Sequence, residues 1–311
     1  MNIGIYKFYK DLYINSELKN SAEHGYSAML ATEVWNFIDV LKERNTNVTV
    51  LSSYKGQYAL DNMQNEKFDK IIVFSGKFSK DKYGEKVFKT LKKMTDELIY
   101  IVIDIRNEPK TNVYKYVDKL YAVSFMPYGR MFYAKKVDSL SAVYAAFHIY
   151  ENIFTPYEEQ KTNLFYYDTN DTDDRKYREI LEFIYRPGFV FYIRNAKNIP
   201  SGFASFNTHF EYLKKSKFSF ATNLEKLYRY GLVSGRIYEN IIFGMLTFTT
   251  PEYDKHKLEI NDNELKVRNF SEMLEKMNYS DEWRINKVRE LKQQAKEVVK
   301  KTKEKILQMT D

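Results

Sequence analysis

The chain has 311 residues, 44% of them hydrophobic and 29% charged, with a formal net charge of +7, which is enough apolar material for two ordinary domains with a core each. It has no cysteine, which excludes disulfides, thiolate nucleophiles and cysteine-ligated zinc; His24, His148, His209 and His256 lack metal-ligand spacing. No apolar run approaches the roughly 20 residues that span a bilayer, and the N-terminus lacks the layout of a secretory signal, so a cytoplasmic protein without a membrane partner is expected.

In chain order, Asn2-Ile3-Gly4-Ile5-Tyr6 reads as a first strand, followed by a polar loop from Tyr9 to about Gly25. From Ser27 to Arg44, Leu30, Val34, Phe37, Ile38 and Leu41 recur at helical spacing. Residues 47–52 and 70–74 read as buried strands. A helix from about Lys82 to Glu97 leads to the apolar run Ile99-Tyr100-Ile101-Val102-Ile103, which ends at Asp104. Strands alternating with crossover helices imply a mostly parallel, doubly wound sheet.

The second half repeats the pattern. Residues 163–167 and 189–194 read as strands flanking a helix from about Arg175 to Tyr185, with Pro187-Gly188 as the turn. A helix over 210–215, a strand over 218–221, a helix start over 235–242 and a strand over 244–249 follow. Thr155-Pro156 and a charged stretch place the boundary between Phe154 and Thr162. The expected division is therefore 1–158 and 159–280, two α/β lobes, with a long helix over 281–308 that opens the segment 281–311. Its apolar positions, Ile285, Val288, Leu291, Ala295, Val298, Thr302 and Ile306, keep near a 3.6 period, and the segment is expected to pack back on the first lobe.

Two short constellations carry chemistry. Asp104-Ile105-Arg106 closes one strand, and Arg236-Ile237-Tyr238-Glu239 precedes another. In open α/β sheets ligands collect outside the carboxyl ends of the strands, so the pair fits an enzyme with its site in a cleft between two lobes. The loop Gly76-Lys77-Phe78-Ser79-Lys80-Asp81-Lys82 joins three lysines to an aromatic ring, the mixture that holds phosphates and fills the gap left by an extruded base. Between Arg284 and Lys305 nine Lys/Arg face three Glu; this suits a polyanionic partner, although such a run is more often a solvated helix face.

These patterns, taken together and in order, resemble the DNA β-glucosyltransferases of T-even bacteriophages, two-lobed nucleotide-sugar enzymes of the GT-B type. The matching stretches are Glu33 ahead of Phe37-Ile38-Asp39-Val40-Leu41-Lys42-Glu43, Phe68-Asp69-Lys70-Ile71-Ile72-Val73-Phe74-Ser75, the Asp104-Ile105-Arg106 step and the Arg236-Ile237-Tyr238-Glu239 step. The resemblance implies two Rossmann-like lobes facing across a cleft, the first binding DNA and the second the donor, with a long C-terminal helix. It implies inverting transfer of a sugar, glucose by expectation, from a UDP-sugar to the hydroxymethyl group of 5-hydroxymethylcytosine or 5-hydroxymethyluracil in flipped-out double-stranded DNA. Asp104 takes the place of the general base and Glu33 that of a sugar contact. Arg236 stands at a diphosphate-binding position, Glu239 where ribose hydroxyls are held, and Tyr228 as a donor-side aromatic. Lys77, Phe78, Lys80, Lys82 and Arg106 are expected on the DNA side. The enzyme is expected to be a monomer in the host cytoplasm.

The family's glycine-rich turn with two arginines is replaced here by Tyr167-Asp168-Thr169-Asn170-Asp171-Thr172-Asp173-Asp174-Arg175-Lys176. Arg175 or Lys176 is expected to take over one arginine's role. Asp171-Thr172-Asp173 has the Asp-x-Asp form of metal-dependent transferases but is read as a polar turn, so Mg or Mn is allowed and not required. Each site residue also has a plainer reading: Asp104 as a cap or a partner of Arg106, Glu33 as a first-turn carboxylate, Arg236 and Glu239 as a surface ion pair, His148 as a packed residue. Two other functions stay open, a GT-B transferase with a small-molecule or glycan acceptor and a non-catalytic DNA-binding protein on the same fold.

Overall fold

The computed structural model describes residues 1–7, 34, 36–51, 65–75, 82–103, 113–123, 136–141, 143, 162–169, 190–195, 213–221, 235–251, 259–260 and 262–311. The chain divides into two compact units, one of Met1–Ser21, Ser27–Phe147 and Lys301–Asp311, the other of Ala22–Tyr26 and His148–Lys300.

The first unit is built on a six-stranded parallel sheet. Its strands are β1 (Asn2–Lys7), β2 (Asn47–Val50), β3 (Phe68–Phe74), β4 (Thr95–Val102), β5 (Lys119–Ala122) and β6 (Val137–Ser139), in the order β2-β1-β3-β4-β5-β6. The apolar runs of β1, β3 and β4 are buried on both faces, as a covered parallel sheet requires. Helix α1 (residues 36–42) and helix α2 (Lys82–Met94) lie on opposite faces. Phe74 is in register with Ile101 and Val73 with Tyr100, so Phe74 and Tyr100 point to opposite sides. Phe37 of α1 meets Phe74 edge-on at 5.2 Å, and Phe88 of α2 meets Tyr100 edge-on at 4.9 Å. Gly4 lets β1 pass close to Leu51: an added Cβ would stand 2.7 Å from the Leu51 Cδ1 atom, so that side chain would have to shift.

The second unit holds four parallel strands, β7 (Thr162–Thr169), β8 (Val190–Asn195), β9 (Ser216–Ala221) and β10 (Leu246–Thr249), in the order β10-β9-β7-β8. Helix α3 (Gly235–Ile242) connects β9 towards β10. It ends in a Schellman turn: Gly244 takes φ 71°, its N–H donates to the Ile241 carbonyl at 2.9 Å, and Met245 N–H donates to Asn240 at 2.9 Å. Buried Asn240 donates to Thr247 Oγ1 at 2.9 Å, which fixes α3 on β10. Helices α4 (Phe270–Met277) and α5 (Asp281–Gln308) follow.

The last turns of α5 and the tail belong to the first unit. Ile306 and Met309 are fully buried, the buried Lys70 Nζ donates to the Met309 carbonyl at 3.1 Å, and Lys303 pairs with Glu43 at 2.7 Å. Arg44 pairs with Asp311, and Lys305 donates to the Ser139 carbonyl.

Several elements differ from the sequence expectation. Helix α2 stops at Met94 and residues 95–97 begin β4, because the Thr95 hydroxyl bonds the Asp69 and Glu97 carbonyls at 3.2 and 3.0 Å. Strand β9 starts at Ser216, two residues early, and only 213–215 of the expected 210–215 helix are described. Gly244 and Met245 belong to the turn and not to β10. Strands β5 and β6, the 3₁₀ turns Val113–Tyr116 and Asn263–Leu265, and α4 were not expected. Along α5 the buried stripe runs through Arg284 and Val299 in place of Ile285 and Val298. Arg284 is held by Asp281 at 3.1 Å, which Lys217 also pairs at 2.9 Å. The expected helix over 175–185 and the proposed boundary over 154–161 lie outside the described residues. Among the described residues no helix is long and apolar enough to cross a membrane.

Candidate active site

In the first sheet the strand order reverses at β1, so the carboxyl ends of β1 and β3 flank the point where a doubly wound sheet opens to a ligand. Two side chains mark this end. Lys7, the last residue of β1 and in register with Phe74, is 2% exposed. Burial holds its amine well below the ordinary lysine value of 10.5. Below 10.5 the unfolded chain therefore binds this proton more readily than the folded chain, so Lys7 makes stability rise with pH through that alkaline window. Wild-type stability is expected to climb more steeply towards pH 10.5 than that of Lys7→Met in parallel urea titrations; superimposable slopes would contradict it.

Ser75, directly after β3, is the second. Its N–H donates to the Ile101 carbonyl at 2.8 Å, and its Oγ accepts from the Ile103 N–H at 2.9 Å. One buried serine thus ties together the two chain segments that continue into Gly76-Lys77-Phe78 and into Asp104-Ile105-Arg106. Neither Lys7 nor Ser75 was among the expected site residues. A lysine closing an apolar strand was the available signal for the first; a serine opening a polar loop gives none.

In the second sheet the order reverses at β7, so the corresponding point lies at the carboxyl ends of β7 and β9. The run Asp171 to Lys176 follows β7 in sequence. Helix α3 follows β9 in sequence, with Arg236 as its second residue and no acidic residue in its first turn. The unpaired N–H groups and positive dipole end of such a helix attract anions. One turn on, Glu239 is 8% exposed, so it lies in the interior and not on an exposed helix face. Between them Tyr238 is fully buried and donates its hydroxyl to Glu259.

Glu33, Lys77, Phe78, Lys80, Asp104, Arg106, Arg175, Lys176 and Tyr228 lie outside the described residues. For Lys82 and Arg236 the backbone is placed, in α2 and α3, and the side chains lie outside them. The basic run of α5 is partly committed within the molecule. Lys287 is surrounded by Glu264, Glu290 and Asp262 at 2.7, 2.9 and 3.2 Å, contacts that raise its pKa despite partial burial. Among the described residues no group of three or more His, Asp or Glu is placed to hold a metal ion; Asp171 and Asp173 lie outside them.

Comparison with solved structures places this architecture. T4 phage BGT in complex with UDP and Mn2+ superposes with a TM-score of 0.60 at 16% identity, over 99% of this chain and 97% of that one. The chain has the GT-B fold. An α-glucosyltransferase in complex with UDP gives 0.56 at 13% identity, over 99% and 96% of the two chains. An α-glucosyltransferase in complex with UDP and a 13-mer DNA containing a central A:G mismatch gives 0.57 at 12%, over 98% and 94%. No protein-family model matches the chain, and no curated protein matches it in sequence. The GT-B fold accounts for two parallel sheets, each with an order reversal, and for a long C-terminal helix.

Proposed function

We propose that the protein transfers a sugar, glucose in the first instance, from a UDP-sugar to the hydroxymethyl group of a modified pyrimidine in double-stranded DNA. The observation that carries this reading is the likeness over nearly the whole of both chains to glucosyltransferases whose complexes hold UDP and, in one, DNA. The Asp-Ile-Arg step at the end of a central strand supports it from the sequence.

The first unit supplies the acceptor side. Lys77, Lys80, Lys82 and Arg106 hold DNA phosphates, and Phe78 fills the stack vacated by the flipped base. Asp104 takes the proton of the hydroxymethyl oxygen as that oxygen attacks the anomeric carbon. The bond from that carbon to the diphosphate breaks with inversion, and UDP leaves with the electron pair. The second unit supplies the donor side. Arg236, at the positive end of α3, and Arg175 or Lys176 neutralise the charge that gathers on the departing diphosphate. Glu239 holds the ribose hydroxyls, Tyr228 lies on the donor side, and Glu33, from the first unit, contacts the transferred sugar.

Arg236→Ala is expected to weaken UDP binding about 10- to 100-fold, the loss of about 1.5–3 kcal/mol for a hydrogen bond to a charged group, while DNA binding stays within about twofold. Isothermal titration with UDP and with duplex DNA separates the two, and equal loss of both would contradict the donor-side role. Inversion is tested on the product itself. Since UDP-glucose carries an α linkage, a β-glucosyl product read by NMR coupling is expected. An α-glucosyl product would keep the transferase and discard Asp104 as a simple inverting base, and UDP release independent of DNA would point to a different acceptor.

A further inference from the structure

In a parallel ladder the receiving residue accepts one bond and gives the next two positions on. Between β3 and β4 the ladder is regular up to Phe74, in register with Ile101, and Ser75 N–H donates to Ile101 at 2.8 Å. The following rung would take Ile103 N–H to the Ser75 carbonyl. It goes instead to the Ser75 side chain, at 2.9 Å. The hydroxyl stands in for a backbone acceptor, so the chain is free to leave the sheet after Ser75 while β4's course is held one step further, to the residue before Asp104. Ser75 is 3% exposed, which keeps water from competing for that N–H.

We propose that Ser75 is a positioning residue for transfer, fixing at once the backbone at Ile103, the residue before Asp104 in sequence, and at its own position, the residue before Gly76. This rests on the transferase reading above. Side-chain options at this place are narrow. The acceptor must reach from its own backbone to a neighbouring strand, which the single χ1 of serine or threonine allows at little entropic cost. Alanine removes the acceptor and leaves Ile103 N–H to seek the Ser75-position carbonyl or a water. The first draws the carbonyl of residue 75 into the ladder, and the second loosens residue 103. Both shift a base whose misplacement by about 1 Å costs on the order of 100-fold in rate.

The test compares wild type, Ser75→Ala and Ser75→Thr in steady-state transfer and in amide hydrogen exchange resolved at Ile103. Expected for Ser75→Ala are a kcat lowered about 10- to 100-fold, a KM for UDP-glucose within about twofold of wild type, faster exchange at Ile103 and a melting temperature a few degrees below the parent's. Ser75→Thr is expected to restore slow exchange and kcat together. An alanine variant with unchanged kcat, or with unchanged Ile103 exchange, would overturn the proposal, as would a threonine variant that exchanges slowly yet stays slow in transfer. Wild type without transfer on any acceptor would refute the transferase reading instead, and with it the catalytic part of this role. The exchange comparison then decides by itself whether Ser75 holds the chain at Ile103.

Discussion

Asp104→Asn is expected to fold, to bind UDP with unchanged affinity and to lose transfer by about 10²- to 10⁴-fold, the range assigned to one general base. The substitution keeps the shape and hydrogen-bonding reach of the side chain and removes only its basicity. A plain capping role for Asp104 predicts otherwise, because asparagine caps about as well as aspartate and turnover would survive. Single-turnover rates on a hydroxymethylated duplex, with UDP titrations on the same samples, separate the cases. Retained turnover would remove the base from Asp104, and joint loss of turnover and UDP binding would indicate a folding defect.

Deleting residues 301–311 is expected to cost the first unit most of its stability. The segment contributes buried Ile306 and Met309, each worth about 1.5–3 kcal/mol by burial. It also contributes the Met309 carbonyl that receives the Lys70 ammonium at 3.1 Å. Without it Lys70, 9% exposed at its side chain, keeps Glu97 at 3.7 Å, and a poorly satisfied buried donor adds about 1–3 kcal/mol. The sum, about 4–9 kcal/mol, rivals the 5–15 kcal/mol that holds an ordinary domain. Arg44→Ala removes the exposed pair with Asp311 and a long hydrogen bond to Thr310 Oγ1 at 3.4 Å and is the control, expected to cost about 1 kcal/mol. Thermal unfolding followed by circular dichroism should show an early transition in the truncated chain alone; a melting profile within a few degrees of the parent's would contradict the packing described.

Elements buried on both faces were legible in the sequence, because short runs such as Ile-Ile-Val-Phe and Ile-Tyr-Ile-Val read as strands of a covered parallel sheet. Elements defined by neighbours were not. Lys119-Leu-Tyr-Ala and Val137-Asp-Ser are short and charged, and they become strands through register with β4 and with each other. Helix α4 is announced only by Asn269 accepting from Glu272 N–H at 2.9 Å and Glu272 accepting from Arg268 N–H at 2.9 Å, a capping signal that apolar periodicity does not contain. At the start of α5 the stripe takes Arg284 in place of Ile285, because Arg284 reads as a surface residue until Asp281 is seen to hold it.

The candidate site divides in the same way. Its expected place at the strand ends came from the parallel-sheet pattern and the grouping of Asp104, Arg236 and Glu239 from the resemblance; of the three, only Glu239 has its side chain among the described residues. The burial of Glu239 was not legible, since an i,i+3 Arg/Glu pair on an eight-residue helix looks like an exposed pair until the helix face is known. The surroundings of Lys7 and Ser75 are set by what lies beside them across the sheet, and a linear sequence does not state who lies beside whom.

The most direct measurement is the intact mass of matched DNA duplexes containing cytosine, 5-hydroxymethylcytosine or 5-hydroxymethyluracil after incubation with the protein and UDP-glucose. A gain of one hexose per modified base on a hydroxymethylated duplex, with none on the cytosine duplex, is the expected result. An unchanged mass on all three duplexes, from protein that UDP still stabilises against heat, would contradict transfer of glucose to DNA while leaving the donor site and the fold intact.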